Sequence, residues 1–132
     1  MKALDTNTLV RFLVGDDESM KATVDAVLED ASQRGETLYV TGYVFLETLW
    51  VLRAVYKYSR QDILDAMEAL TMMPVLEFDS ACPIRELFEI ARKTTFDLAD
   101  ILIGLAARER GCETTLTLDK KAAQSELFEE IQ

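Results

Sequence analysis

Histidine is absent from this chain of 132 residues, and cysteine occurs only twice. The absence of histidine removes the commonest general acid or base, and the commonest metal ligand, from the mechanisms open to the protein. Cys82 and Cys112 lack metal-binding spacing, and we interpret both as small hydrophobic residues without a functional role. A catalytic site in this chain would therefore depend on carboxylates, hydroxyls, lysine or a metal ion.

Long apolar runs and an excess of positive charge are also missing. No hydrophobic run approaches the ~20 residues that a membrane span needs, and the N-terminus lacks the apolar segment and cleavage site of a signal peptide. We expect a cytoplasmic protein without a membrane segment. The formal net charge of −10 argues against a broad nucleic-acid surface, because phosphate binding draws on clustered Lys and Arg, but it leaves room for a local one.

Hydrophobic residues make up 49% of the chain and follow alternating strand and helix patterns. They predict strands over 2–5, 38–41, 75–78 and 114–118, and helices over 6–14, 16–34, 43–56, 60–72, 80–93 and 97–110. A short helix and an apolar tail at 127–131 end the chain. Alternating strands and helices favour parallel crossover connections, so we predict an α/β fold with three layers, α/β/α. The length, without a linker or repeat, predicts one domain over residues 1–132.

The segment 43–56 is hydrophobic on nearly every side, which predicts a buried helix rather than a surface one. Glu47 lies inside this segment. A carboxylate is rarely buried without a partner, because its desolvation costs several kcal/mol. Glu47 would therefore need either an ion pair, with Arg53 or Arg92, or a functional ligand.

Aspartates stand where strands end and where an apolar helix begins. Asp5 and Asp119 each follow an apolar strand, and ligands of open α/β sheets bind beyond the carboxyl ends of the strands. If strands one and four are neighbours, these two carboxylates point into one crevice. Asp97 and Asp100 begin the last long helix and, three residues apart, lie on one side of it. The alternative for Asp5, Asp97 and Asp119 is that they merely cap the next helix or turn of the chain.

Four carboxylates in one crevice would repel one another and raise one another's pKa values unless a cation were bound. Carboxylate oxygens suit the hard, octahedral ions Mg²⁺ and Mn²⁺ better than Zn²⁺. Such ions lower the pKa of a bound water, orient it and stabilise a departing oxygen. A metal ion would thus replace the missing histidine. The four candidate ligands are Asp5, Glu47, Asp100 and Asp119.

Four short motifs succeed one another between residues 4 and 121. They are Leu4-Asp5-Thr6-Asn7, Thr41 six residues before Glu47, Phe96-Asp97-Leu98-Ala99-Asp100-Ile101, and Thr117-Leu118-Asp119. In this order they resemble the motifs of the PIN-domain nucleases, most of all the VapC-type ribonuclease toxins of toxin-antitoxin systems. The resemblance implies a three-layer α/β/α PIN-like domain with a central, mostly parallel sheet of four or five strands.

The resemblance also implies a function, which is hydrolysis of RNA phosphodiester bonds by metal-activated water in a Mg²⁺- or Mn²⁺-dependent endoribonuclease. VapC-type toxins dimerise and are neutralised by an antitoxin, so a homodimer and an antitoxin partner are implied as well. The residues that match the acidic metal-binding positions of the family are Asp5, Glu47, Asp100 and Asp119. Asp97 matches an auxiliary acid, with capping as the favoured interpretation, and the supporting polar positions are Thr6, Asn7 and Thr117.

Basic residues near the motifs are candidates for RNA contacts, and the alternative is that they form an ordinary solvated face. These candidates are Arg11, Arg53, Lys57, Arg60, Lys120 and Lys121. The last two follow Asp119 where some relatives place acidic or polar groups, which leaves the number of metal ions open.

Two other functions stay open. A haloacid-dehalogenase-like phosphatase would use Asp5 as its nucleophile, although its second aspartate is replaced by Asn7 here. A non-catalytic PIN-like interaction module would use the same fold as a binding surface. In that module Leu49, Trp50 and Tyr56, or the apolar tail, would be candidates for a dimer contact.

Overall fold

A three-stranded parallel sheet organises the first 79 residues. The computed structural model describes all 132 residues of the chain, and they divide into two units, Met1–Asp79 and Ser80–Gln132. The single domain predicted from the length stays a prediction. In chain order the first unit contains β1 (Lys2–Ala3), α1 (Thr6–Val14), α2 (Glu18–Gln33), β2 (Leu38–Val40), α3 (Gly42–Ala54), α4 (Arg60–Thr71) and β3 (Leu76–Phe78).

The sheet has the strand order β1-β2-β3, and both pairs of strands run parallel. Leu38, at the start of β2, is opposite Lys2 of β1 and Leu76 of β3. The carboxyl ends of the three strands therefore lie at one edge, which is where α/β sheets bind ligands. The polar residues that follow the strands at this edge are Asp5, Thr41 and Asp79.

The helices of the first unit bury their apolar sides against one another. α1 packs against α2 and α3, and α3 packs against α4. The ring of Phe45 on α3 meets that of Phe78 on β3 edge-on, with 6.1 Å between centroids and 82° between planes, a favourable aromatic geometry. This contact holds α3 against the sheet. The largest fully buried side chains of the unit are Leu9, Val40, Phe45, Leu49, Leu52, Ile63, Leu64, Met67 and Leu70.

α3 differs from the sequence prediction, which made it buried on nearly every side. One side of the helix is buried, but Tyr43, Glu47 and Trp50 are exposed. Because they are four and three residues apart, they lie along one face, which we call the α3 stripe. The prediction that Glu47 is buried is wrong. Apolar residues occur on all faces of this segment, so its pattern could not show which face the neighbouring elements would cover.

The second unit pairs two helices with two short strands. It contains α5 (Ile84–Lys93), α6 (Leu98–Glu109), β4 (Thr115–Thr117), a 3-10 helix (Ala122–Gln124) and β5 (Phe128–Glu130). β4 and β5 run parallel, with Thr115 opposite Phe128, and α5 packs against α6. The apolar tail of the sequence prediction therefore forms a fifth strand.

Gly104 lets α6 approach the start of β5 closely. A Cβ atom at this position would lie 2.8 Å from Leu127 Cβ and 2.9 Å from Phe128 Cε2, much closer than the ~3.5–4.0 Å of favourable carbon contacts. Glycine lowers helix stability relative to alanine. Its presence within α6 is therefore explained by packing, and this packing positions the helix that Asp97 and Asp100 begin.

The predicted helices and the four predicted strands are confirmed, with shifted ends. The largest shift is at α5, for which the sequence predicts a start at residue 80 and which begins at Ile84, directly after Pro83. A residue before proline avoids the helical region, so the helix cannot extend back through Cys82. Both cysteines are free. None of the helices has the length and apolar character needed to cross a membrane.

Candidate active site

Asp5 follows β1 at the carboxyl edge of the three-stranded sheet and caps α1. Its backbone is extended, and its Oδ1 accepts a hydrogen bond from the Thr8 backbone N–H at 2.8 Å. Hydrogen bonds from the side chain and the backbone of Thr8 lower the pKa of Asp5 below its ordinary value, although burial acts in the opposite direction. The exposed carboxylate is therefore ionised at neutral pH and has lone pairs for a further partner.

Asp97 and Asp100 form the start of α6 as the sequence predicts. Asp97 is the N-cap residue, and its Oδ1 accepts a hydrogen bond from the Asp100 backbone N–H at 3.0 Å. The capping role of Asp97 is thus confirmed. Both residues are half-buried, and negative charge is favourable at this end of a helix. The cap uses the backbone of Asp100, so the Asp100 carboxylate takes no part in that hydrogen bond.

Asp119 follows β4 by two residues and shapes the turn into the 3-10 helix. Its Oδ1 accepts hydrogen bonds from the backbone N–H groups of Lys121 at 2.8 Å and Ala122 at 3.2 Å. The Asp119 backbone N–H donates to Thr117 Oγ1 at 3.0 Å. Thr117 therefore holds the backbone of Asp119 in place. Both hydrogen bonds that the Asp119 carboxylate accepts from Lys121 and Ala122 go to Oδ1 and not to Oδ2.

Glu47 lies in the same unit as Asp5, in the middle of α3. Thr41 directly follows β2 and caps this helix, since its Oγ1 accepts a hydrogen bond from a backbone N–H of the first turn at 3.2 Å. The start of α3 is therefore at the sheet edge that Asp5 occupies. Thr6 and Asn7, the predicted supporting residues, are the first two residues of α1 and are half-buried and exposed, respectively.

The predicted acidic site draws on both units. Asp5 and Glu47 belong to the first unit, whereas Asp97, Asp100 and Asp119 belong to the second. Neither unit by itself contains three or more His, Cys, Asp or Glu side chains grouped so that they could hold a metal ion. The convergence of these acids, like the pairing of strands one and four, stays a prediction. The donor set, carboxylates without histidine, suits Mg²⁺ or Mn²⁺ by its chemistry.

The basic candidates for RNA contacts differ in their surroundings. Arg11 is paired with an acid, because its Nη1 lies 3.2 Å from Asp16 Oδ1. A phosphate would have to compete with Asp16 for Arg11. Arg60, the first residue of α4, is half-buried. The exposed candidates are Arg53, Lys57, Lys120 and Lys121.

One carboxylate at the same sheet edge is missing from the predicted site. Asp79 follows β3 directly and is half-buried, and its backbone N–H donates to the carbonyl of Val40 at 3.2 Å. The sequence signal existed, because an apolar strand followed by aspartate is the pattern that identified Asp5. The parallel register of β1, β2 and β3 is what shows that Asp5 and Asp79 share one edge of the sheet.

Comparisons with known proteins bear on this arrangement. The sequence model of the family described as PIN domain matches residues 2–126. The VapC ribonuclease of Aquifex aeolicus (strain VF5) is 29% identical over 121 residues, which cover 92% of this chain and 89% of that protein. No solved structure matches the chain significantly. The resemblance drawn from the four motifs, and the α/β/α fold class that it implies, are therefore confirmed.

Proposed function

Because this chain belongs to the PIN domain family, we propose that it is a metal-dependent endoribonuclease, the toxin of a toxin-antitoxin pair. The match over residues 2–126 carries the proposal, and the similarity to a VapC ribonuclease over 92% of the chain points to RNA as the substrate. The geometry supports it, because candidate acids follow β1 and β4 and begin α6.

The proposed metal ligands are acids whose chemistry suits Mg²⁺ or Mn²⁺. When bound, such an ion supplies an ionised water near neutral pH and stabilises negative charge on phosphate oxygens. This chemistry explains how a chain without histidine could hydrolyse RNA. Asp5, Glu47, Asp100 and Asp119 would hold the ion, with Asp97 as an auxiliary acid and Thr6, Asn7 and Thr117 as supporting residues.

Hydrogen bonds within the chain orient three of these acids before any ligand binds. Asp5, Asp97 and Asp119 each accept a backbone N–H within one turn of the chain. An ionised carboxylate has about four lone-pair positions, so one or two such bonds leave capacity for a cation. A carboxylate that is already ordered loses less entropy when it binds. Capping and metal binding are therefore compatible roles for the same side chain.

The same proposal implies the partners. RNA would be the substrate, the exposed basic residues would contact its phosphates, and an antitoxin and a second copy of the chain would be protein partners in the cytoplasm. The phosphatase alternative receives no support from the structure beyond the position of Asp5 after β1. Such a phosphatase would need an acid/base aspartate two residues after Asp5, and that position is occupied by Asn7, whose amide does not ionise.

The test compares Asp100→Asn with a matched control, Asp62→Asn. Asp62 is the third residue after the N-cap Ser59 of α4, as Asp100 is the third after the N-cap Asp97 of α6. Both variants lose the same type of interaction with a helix N-terminus, about 0.3–1 kcal/mol. Cleavage of a mixed RNA pool is measured in Mg²⁺, in Mn²⁺ and in EDTA, together with thermal unfolding with and without metal.

We expect the wild type and Asp62→Asn to cleave RNA only with metal, and to unfold at a higher temperature when metal is added. Asp100→Asn should fold, but should neither cleave nor gain stability from metal. If Asp100→Asn cleaves like Asp62→Asn, then Asp100 is only a first-turn residue and the proposal fails at its central acid. A phosphorylated Asp5 after incubation with a phosphate ester would favour the phosphatase instead.

A further inference from the structure

A groove of about 340 Å³ opens on the surface of the second unit. Its walls are the end of α5 with the segment that follows it, the last turn of α6, and residues 124–127 between the 3-10 helix and β5. We call it the α5 groove. It contains none of the candidate metal ligands, and all its lining residues belong to one unit. Ligand pockets usually have about 300–1,000 Å³, so this groove has room for one small molecule.

One part of the α5 groove is apolar. Ile90 and Phe96, which are half-buried, and Leu127, which is buried, line this part. Leu127 packs against α6 at Gly104, so the packing of the unit fixes this wall. An apolar group that covers these side chains would gain the free energy of leaving water.

The rest of the groove carries four charged side chains. Lys93 and Arg108 are basic, Glu89 and Glu126 are acidic, and all four residues are exposed. None of these side chains forms an ion pair or a hydrogen bond within the chain. Glu89 and Lys93 stand four residues apart on α5, in the order that favours an ion pair along a helix, but do not form one. These charges are therefore available to a ligand.

The two bases and two acids of the groove sum to a charge of zero, in a chain whose net charge is −10. A ligand that pairs with all four must carry charges of both signs. We propose that the α5 groove binds a small zwitterion with an apolar side chain, which is a free amino acid or a short peptide. Its carboxylate would pair with Lys93 and Arg108, its ammonium group with Glu89 and Glu126, and its side chain would cover the apolar wall.

The same four charges disfavour ligands of a single sign. A phosphate or a nucleotide would gain from Lys93 and Arg108, but it would bring negative charge into a groove that also holds Glu89 and Glu126, and such juxtaposition is unfavourable. A cation without a carboxylate would meet the two bases in the same way. A zwitterion avoids both conflicts, because each of its ends has a partner of opposite charge.

Hydrogen bonds within the chain hold two walls of the groove in place. On one wall the Leu127 backbone N–H donates to Ser125 Oγ at 3.2 Å, and the Phe128 N–H donates to the Ser125 carbonyl at 3.2 Å. On the other, Thr94 Oγ1 donates to the carbonyl of Ile90 at 2.9 Å. A site whose walls are ordered before binding loses less entropy when the ligand arrives.

The experiment titrates the full chain, without RNA or metal, with L-phenylalanine and with the dipeptide leucyl-phenylalanine, whose charges are further apart. Three other probes each lack one feature. N-acetyl-phenylalanine has no ammonium group, phenylalanine amide has no carboxylate, and glycine has no side chain. AMP tests for a nucleotide. Calorimetry measures the affinity, and two-dimensional NMR shows which backbone amides shift.

Two variants that remove one charge from the groove, Arg108→Gln and Glu126→Gln, are each compared with a matched control. The controls are Arg110→Gln and Glu113→Gln, at exposed positions of the same unit that do not line the groove. Circular dichroism checks that each variant folds. The inference is independent of the proposed function, because the binding assay contains neither RNA nor metal.

We expect L-phenylalanine or the dipeptide to bind with saturation and to shift amides of the groove walls. Removing the ammonium group, the carboxylate, Arg108 or Glu126 should each weaken binding by about 3- to 10-fold, the range of one net hydrogen bond. Glycine should also bind more weakly, because it lacks the apolar part. The controls should bind within about twofold of the wild type. The tighter of the two ligands identifies a free amino acid or a peptide as the source.

Three results would overturn the inference. The first is the absence of saturable binding by both L-phenylalanine and the dipeptide. The second is tighter binding of AMP or N-acetyl-phenylalanine than of L-phenylalanine, which would make the groove a site for anions. The third is an equal loss of affinity in the groove variants and their controls, which would show a general effect of charge rather than a site.

Discussion

Replacement of Asp5 can separate its capping role from its proposed metal role. Asp5→Asn keeps a side-chain oxygen at the N-cap of α1, where Oδ1 now accepts the Thr8 N–H at 2.8 Å, but removes the negative charge. Asp5→Ala removes both the oxygen and the charge. The two variants therefore share the loss of a metal ligand and differ in the loss of the cap.

The size of the effect on stability can be worked out from the cap. Asparagine and aspartate are about equally good N-caps, whereas alanine costs about 1 kcal/mol. Unfolding entropies of about 2.1 cal/mol/K per residue give ~0.28 kcal/mol/K for a chain of 132 residues. Asp5→Ala should therefore lower the Tm by about 3–4 °C in EDTA, and Asp5→Asn by less than about 1–2 °C.

The assay measures thermal unfolding in EDTA and in Mn²⁺, and RNA cleavage with Mn²⁺, on the same preparations. Metal should raise the Tm of the wild type only. Both variants should lose cleavage, although Asp5→Asn should stay closer to the wild type in Tm than Asp5→Ala does. If Asp5→Asn cleaves normally, Asp5 is only a cap. If Asp5→Asn is as unstable as Asp5→Ala, the side-chain hydrogen bond to Thr8 is not what stabilises α1.

Three further predictions concern stability. Gly104→Ala should lower the free energy of unfolding by about 1–3 kcal/mol, because the added Cβ would lie 2.8 Å from Leu127 Cβ. Urea denaturation measures this free energy, and an unchanged urea midpoint would contradict the close packing of α6 against Leu127. Lys57 has a φ of 59°, in the left-handed region that is unfavourable for a residue with a Cβ atom. Lys57→Gly should therefore raise the free energy of unfolding by about 1 kcal/mol in the same assay. Since the pKa of Asp5 is lowered in the folded protein, its charge stabilises the fold at neutral pH, and this contribution is lost as the pH falls below about 4. The stability difference between wild type and Asp5→Ala should then shrink, and a constant difference between pH 7 and pH 3 would refute the linkage.

The order of helices and strands could be predicted because local signals agree along most of the chain. Capping residues, glycine stops and hydrophobic periods mark α1, α2, α4 and α6 within a few residues of their observed ends. Asp97 could be recognised as a cap because a cap involves only residues within one turn. β5 is recognisable from the sequence only as an apolar tail, since a strand of three residues acquires its identity from its partner, β4.

The acids that follow strands could likewise be found from sequence, because an apolar run followed by aspartate is a local pattern. This pattern identifies Asp5 and Asp119. It does not show that Asp5 and Asp79 lie at the same edge of the sheet, because their proximity depends on the register of β1, β2 and β3. Hydrogen bonds between distant segments set that register. The exposure of Glu47 between Tyr43 and Trp50 was also decided by tertiary structure. A helix with apolar residues on every face has no preferred inner side until its neighbours cover one, and here the Phe45 side meets β3 and leaves the α3 stripe in water.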